Sequence, residues 1–372
     1  MYSRVRRCVE SYLAEQGRRD VRTDRVFYLD VTNREVDGYC YLFFAGEEPG
    51  PALVAKAAEG HAGRAVFEIE YENLRKLEGI GMNAEHRRTP EPLGRWDDDG
   101  TLVTLQSALP GALMKNVPGK ALFSQSTAGA TIGRVVDWWK HLQQLLGVQR
   151  HRVSEELYEH HVLEPIRLFE RRYVETAEES ELLDRRYRRE RSLLGAELPF
   201  MVRHGDFCTA NMALHGDRLG VFDWEFPLEH QIPLFDLFYF FSSTRFPHAG
   251  RRGESGHFES FASVFWEDHH LNRTMRRCIV ELCEAFRIPQ EAVADLLVLS
   301  LVQVANMKYE GLLAAHGAEE TDGTELVSSD VKRDRWKRFE EPDIDLPLAC
   351  IQDGAFRNLA LVAQRGLPDL AR

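Results

Sequence analysis

The sequence predicts an α+β protein of two lobes. A small, mainly antiparallel β lobe carrying one helix occupies residues 1–108, and a larger, mainly helical lobe occupies 109–372. Three observations lead there. Short runs rich in aromatic and β-branched residues, divided by turn residues, fill the first hundred positions. A single window beginning at Val66 switches to a helical period. Beyond Gly119 apolar residues recur at helical spacing through most of the chain, and 372 residues suit two domains or one large two-lobed unit.

The elements follow in order. Residues 25–31 and 39–44 read as strands, the turn Glu47-Glu48-Pro49-Gly50 follows, and 52–56 is a short apolar strand. Ile69, Leu74 and Leu77 form the apolar stripe of a helix that Gly79 and Gly81 end. Pro90 and Pro92 mark a loop, 96–100 a hairpin turn and 102–105 another strand. The Pro/Gly cluster from Pro110 to Gly119 reads as a linker. After it, Ile132, Val135, Val136, Trp139, Leu142 and Leu146 lie on one helical face, and 151–195 continues with heavy charge. Of the adjacent Trp138 and Trp139, one is expected in the core and the other toward a cleft. The charged run 184–191 and the group His160, His161 and Glu164 read as solvated helix faces. Residues 199–224 are the exception in this half: short strands, with His215-Gly216-Asp217 as the turn between two of them. Helices resume through 258–316, and the charged stretch 317–341 is expected to be mobile.

Composition excludes several classes. With 47 basic and 59 acidic residues the net charge is −12, which argues against a nucleic-acid partner. No apolar run follows the basic start Met1–Arg7, and no stretch approaches the length of a membrane span, so neither a signal peptide nor a membrane partner is expected. The six cysteines form no CxxC pair or zinc-like repeat and read as reduced thiols of a cytoplasmic protein.

The informative segment is His204-Gly205-Asp206-Phe207-Cys208-Thr209-Ala210-Asn211, followed twelve residues after Asn211 by Asp223-Trp224-Glu225. A hairpin between Asn211 and Asp223 would fold the three polar side chains toward one cleft. Two oxygen ligands plus phosphate oxygens suit Mg²⁺, and a further carboxylate free of metal can orient and deprotonate a hydroxyl. Phosphoryl transfer requires these parts. Each residue alone would be ordinary turn chemistry, and the His-Gly-Asp at 215–217 has no Asn at the matching spacing.

HGDxxxxN followed by a strand ending in DWE resembles the aminoglycoside phosphotransferase and choline kinase family, with its protein-kinase-like fold. The resemblance implies Asp206 as catalytic base, Asn211 and Asp223 as metal ligands, His204 as the brace of the catalytic loop and Asp236 as structural support. It implies that Lys56, closing an apolar strand, binds ATP phosphates, and that Glu70, fourteen residues later, pairs with it, although Glu68 and Glu72 lie close by. The segment from Leu102 to Gly111, with Gln106 and Ala108, resembles the hinge whose backbone holds adenine. The likeness covers roughly 25–245, in order. It departs at the phosphate loop expected over Asn33–Gly38, which has one glycine, and at Phe207-Cys208-Thr209-Ala210. ATP and Mg²⁺ are the implied cofactors, and a small hydroxylated molecule (sugar, amino alcohol or aminoglycoside-like) the implied acceptor, selected by 258–316 with 125–175. Two rivals stay open: a pseudokinase binding module and a nucleotidyl-transferring enzyme.

Overall fold

The computed structural model describes residues 1–30, 38–83, 87–172, 177–244 and 261–315, with Leu359, Val362, Ala363 and 365–370. Residues 33–37 of the phosphate loop expected over Asn33–Gly38, and the charged stretch 317–341, lie outside the described residues.

The N-terminal half is a five-stranded antiparallel sheet of β1 (Val21–Asp30), β2 (Tyr39–Ala45), β3 (Pro51–Ala58), β5 (Pro92–Asp98) and β6 (Thr101–Ser107), in the order β1-β2-β3-β6-β5. It carries two helices where the sequence reading expects one. The additional helix is α1 (Tyr2–Glu15). Val5, Cys8, Val9 and Leu13 recur at its helical spacing and pack on Val21, Phe43, Ala55 and Leu105 of the sheet. The arginines between them obscure that stripe. Arg4 pairs with Glu59 and Asp99, and Arg7 with Asp98, so the charges reach back to the sheet's rim.

Helix α2 (His61–Gly79) connects the two halves. Phe67 packs against Ala58 and Leu102 of the sheet, while Leu74 and Leu77 join the large core of the C-terminal half. The strand β4 (Arg87–Arg88) then lies parallel to β11 (Arg218–Val221).

The segment 110–119 is packed rather than a free linker. It contains β7 (Ala112–Leu113), paired with β10 (Met212–His215), and a turn that buries Met114. Gly111 is required there: its φ is +104°, and a Cβ would stand 2.1 Å from the Leu214 carbonyl oxygen. The helices that follow are α3 (Gly119–Phe123), α4 (Ala128–Leu146), α5 (Glu155–Tyr158), α6 (Glu164–Arg172), α7 (Ala177–Leu183), α8 (Phe235–Ser243), α9 (His270–Phe286) and α10 (Val293–Ala315). A three-stranded sheet of β8 (Gln149–Arg152), β9 (Glu197–Val202) and β12 (His230–Gln231) packs among them in the order β12-β9-β8. Both Trp138 and Trp139 are fully buried, so neither faces a cleft. Trp138 lies against Phe207 and Trp224, while Trp139 meets Phe286 and Asp236. No helix among the described residues is long and apolar enough to cross a membrane.

The charged run 184–191 is not simply a solvated face. Tyr187 is buried, and Arg186 makes a two-pronged ion pair at 2.8 and 2.5 Å with Asp295, which is buried at the start of α10. A carboxylate taken out of water is tolerated when a guanidinium satisfies both oxygens, and breaking such a pair typically costs about 3–5 kcal/mol. Arg186→Met should therefore lower the unfolding free energy by about 3 kcal/mol, near the lower end because Arg186 keeps some exposure. Urea titrations should show the double variant Arg186→Met/Asp295→Leu regaining most of that loss. A double variant no more stable than the single one would contradict the account.

Candidate active site

Lys56, near the end of β3, is the centre of the cluster. Its Nζ lies 2.6 Å from Oε2 of Glu70, 2.7 Å from Oδ1 of Asp223 and 3.5 Å from Oε1 of Glu225. Only about 10% of the Lys56 side chain is exposed. Burial on its own would favour the neutral amine, but the three carboxylates outweigh it and hold the ammonium well above its usual range. The opposite balance holds at Glu70, where burial wins over Lys56 and raises the carboxyl. At Asp223 the charge and hydrogen bond of Lys56 overcome burial and lower it. Glu225 is pushed up to about 8, first by burial and then by the charge of Asp223.

Helix α2 builds this arrangement from one face. Glu70 and Asn73 are both buried, one turn apart. Asn73 donates its amide hydrogens to the carbonyls of Trp224 at 2.9 Å and Phe226 at 2.8 Å. The same helix thus supplies a carboxylate to Lys56 and fixes the backbone on either side of Glu225. Asp223 itself has φ +71°, a left-handed conformation that Asp tolerates better than most residues and that functional sites often hold.

The loop 204–211 hangs from α8. Asp236, fully buried, accepts hydrogen bonds from the His204 amide at 2.8 Å, the Gly205 amide at 3.0 Å and the Trp139 indole at 3.3 Å. Burial raises its carboxyl despite those donors. His204 spans the loop, with Nε2 3.0 Å from the Phe222 carbonyl and Nδ1 accepting from the Asp206 amide at 3.2 Å. Gly205 has φ +90°, and a Cβ there would stand 2.6 Å from Cγ of Phe226. The amide of Asn211 donates to the Asp206 carboxylate at 2.7 Å and to its backbone carbonyl at 3.0 Å. That directs Nδ2 to Asp206 and turns Oδ1 away from it.

The sequence-derived residues are thus brought together in two linked groups. Lys56, Glu70 and Asp223 form one, and Asp206, Asn211, His204 and Asp236 form the other, joined through the Phe222 backbone, whose amide donates to the Asn211 carbonyl. Glu68 and Glu72 are exposed, which leaves Glu70 as the partner of Lys56. Gln106 lies within β6, its buried side chain beside Glu70. Ala108 donates its amide to the Ala52 carbonyl at 3.0 Å, so that donor is committed to the sheet. Sequence reasoning missed Asn73, Tyr239 and the part played by Glu225. The last was visible in the DWE motif. Asn73 and Tyr239 had no signal beyond their helical spacing from Glu70 and Asp236.

The donor set fits a hard divalent cation. Three carboxylates, from Glu70, Asp223 and Glu225, offer oxygens within 4.8 Å of one another against one lysine. Oxygen ligands with surplus negative charge are what Mg²⁺ prefers.

The model of the phosphotransferase enzyme family (APH) matches residues 41–267, well over half of the chain. Among curated proteins, none matches the sequence. Similar solved structures include a thermostable variant of aminoglycoside phosphotransferase APH(4)-Ia in ternary complex with ADP and hygromycin B. It is 12% identical, with 96% of this chain and 98% of that chain covered and a TM-score of 0.53. A second variant of that enzyme, with AMP-PNP and hygromycin B, is 13% identical over the same shares with a TM-score of 0.54. At that identity the likeness shows the fold, and the two-lobed, kinase-like α+β class is the one observed.

The raised carboxyl of Glu225 has a consequence for stability. Between the ordinary carboxyl value of 4.5 and about 8, the folded protein holds a proton that the unfolded chain has released. Stability falls with pH wherever the folded state binds more protons. Without divalent cation or nucleotide, the contribution of Glu225 should be present below pH 4.5 and lost as pH rises through about 8. Glu225→Gln should remove that slope, as read from melting temperatures at several pH values, and an unchanged slope would refute the assignment.

Proposed function

The chain belongs to the phosphotransferase enzyme family, and from that premise we propose that it moves the γ-phosphoryl group of ATP to a hydroxyl of a small molecule. The observation that carries the reading is the Lys56 ammonium held between Glu70 at 2.6 Å and Asp223 at 2.7 Å, beside a loop that presents Asp206 and Asn211. Catalysis of phosphoryl transfer consists largely of positioning and of placing charge where it develops.

Each residue then has a role. Lys56 neutralises phosphate charge, and Glu70 fixes the reach of that long side chain. Asp223 and Asn211 would hold Mg²⁺, with Glu225 adding charge to the same site. When bound, the cation neutralises phosphate oxygens and fixes their orientation. Asp206 accepts the proton of the attacking hydroxyl, and its distance from that oxygen must be about 3 Å. Nucleotide base contacts fall to the backbone groups of 107–109 other than the Ser107 and Ala108 amides, which donate to the carbonyls of Glu91 and Ala52, and acceptor contacts to the helices of the C-terminal half. An aminoglycoside phosphotransferase of similar fold binds hygromycin B, and sugars, amino alcohols and aminoglycosides are the acceptors to screen.

The test is acceptor-dependent nucleotide turnover. ADP as product supports the reading, whereas pyrophosphate would point to nucleotidyl transfer and absence of turnover to a binding module. Asp206→Asn should lower turnover by at least ~10², the lower range for loss of a positioned base, and leave the nucleotide-induced thermal shift intact. Asp223→Ala should remove the Mg²⁺-dependent part of that shift, because a stabilising ligand acts only through the affinity it has for the folded state. Wild-type turnover in Asp206→Asn, or an unchanged shift in Asp223→Ala, would overturn the respective role.

A further inference from the structure

Tyr239 lies on α8, three residues after Asp236, and its ring is almost completely buried. It stacks on Phe235 with ring centroids 6.3 Å apart and planes 11° apart, and Val304 of α10 packs against both. From that enclosure its hydroxyl donates to Oδ1 of Asp206 at 2.6 Å. The other carboxylate oxygen, Oδ2, accepts from Asn211 at 2.7 Å. Both oxygens of Asp206 are therefore met by protein donors that come from different directions: Asn211 from the loop itself, Tyr239 from the helix beneath it.

We propose that Tyr239 is a positioning residue that acts through Asp206, fixing with Asn211 the plane in which its carboxylate meets the acceptor hydroxyl. The inference rests on the reading of Asp206 as the base. A carboxylate held by one hydrogen bond rotates about its Cβ–Cγ bond, whereas two donors on opposite oxygens remove that freedom. A carboxylate oxygen can accept more than one donor, so a hydrogen bond from Tyr239 does not by itself bar the acceptor hydroxyl. The phenol suits the task because burial and the charge of Asp206 hold its hydroxyl well above the usual range, and it remains a donor. The chain gains rigidity at the base without spending a charged group on it. α8 thus serves the loop twice: Asp236 holds the backbone at His204 and Gly205, and one turn later Tyr239 holds the side chain of Asp206.

The test is Tyr239→Phe, which removes one oxygen and keeps the ring in its packing. Turnover with the acceptor found by the screen, or ADP release to water from Mg-ATP, should fall about 10–100-fold, the range for a misplaced reacting group or a lost hydrogen bond to a charge. The KM for ATP and the nucleotide-induced thermal shift should stay at the wild-type values. A fall in the shift equal to the fall in turnover would make Tyr239 a general structural residue and overturn the proposal. The decisive comparison is a double-mutant cycle, because residues that act as a unit are not additive. In the Asp206→Asn background Tyr239→Phe should cost less than threefold. The same 10–100-fold loss in both backgrounds would refute action through Asp206, and so would wild-type turnover in Tyr239→Phe alone. Wild-type turnover itself tests the parent reading, while the difference between the two backgrounds tests this one.

Discussion

One buried ammonium organises the site. Lys56 comes from β3, Glu70 from α2, and Asp223 and Glu225 from the segment after β11. An unpaired lysine at that depth would be expensive, and removing water from a carboxylate is no cheaper. Lys56 and Glu70 tolerate burial only with these partners. Their partners lie on three separate elements, so the cluster closes only when sheet, helix and hairpin are in register. The ion pair is then less a source of net stability than a condition on geometry: it selects the arrangement in which strand β3 faces the end of β11.

That condition would be weak if the loop carrying Asp206 were loose, and a second anchor, Asp236 on α8, holds that loop. Asp236 is buried with three N–H donors on its two oxygens, two of them backbone amides of the loop. A buried carboxylate with that many donors is satisfied, and replacing it by an apolar residue would leave the amides unpaired. α4 contributes from the other side. Trp139 bonds Asp236, Trp138 packs on Phe207 and Trp224, and Gln143 bonds the backbone of Val202 in both directions, at 2.7 and 3.1 Å. The helix whose two tryptophans are both inside is therefore the floor of the loop.

Much of this was legible in the sequence, and the limits have physical reasons. The sheet strands and α2 announce themselves through local periodicity, and the HGDxxxxN and DWE segments through spacing, because each is a local pattern. Helix α1 was missed since its apolar stripe is interleaved with arginines that bond to the sheet's rim, a pairing between residues far apart in the chain. Trp138 and the run at 184–191 were misread for a related reason. Adjacent residues on a helix point about 100° apart, and α4 is covered widely enough to enclose both tryptophans, while a charged run hides one arginine whose partner, Asp295, is more than a hundred residues away. Tyr239 and Asn73 follow the same rule. Their roles exist only in the contact, so no local signal marks them.

The charges also say what the site lacks electrostatically. One lysine faces three carboxylates, and the excess appears at Glu225, whose carboxyl is pushed to about 8. A proton is one way to relieve that excess, and a divalent cation is another. The two compete for the same oxygens, since a coordinating carboxylate must be deprotonated. A divalent cation held by Glu225, as proposed above, would therefore gain affinity as pH rises through about 8, while the stability of the cation-free protein falls over the same interval. Opposite pH slopes with and without cation follow from a single carboxylate beside Asp223. A structural salt bridge fully balanced by Lys56 would give neither.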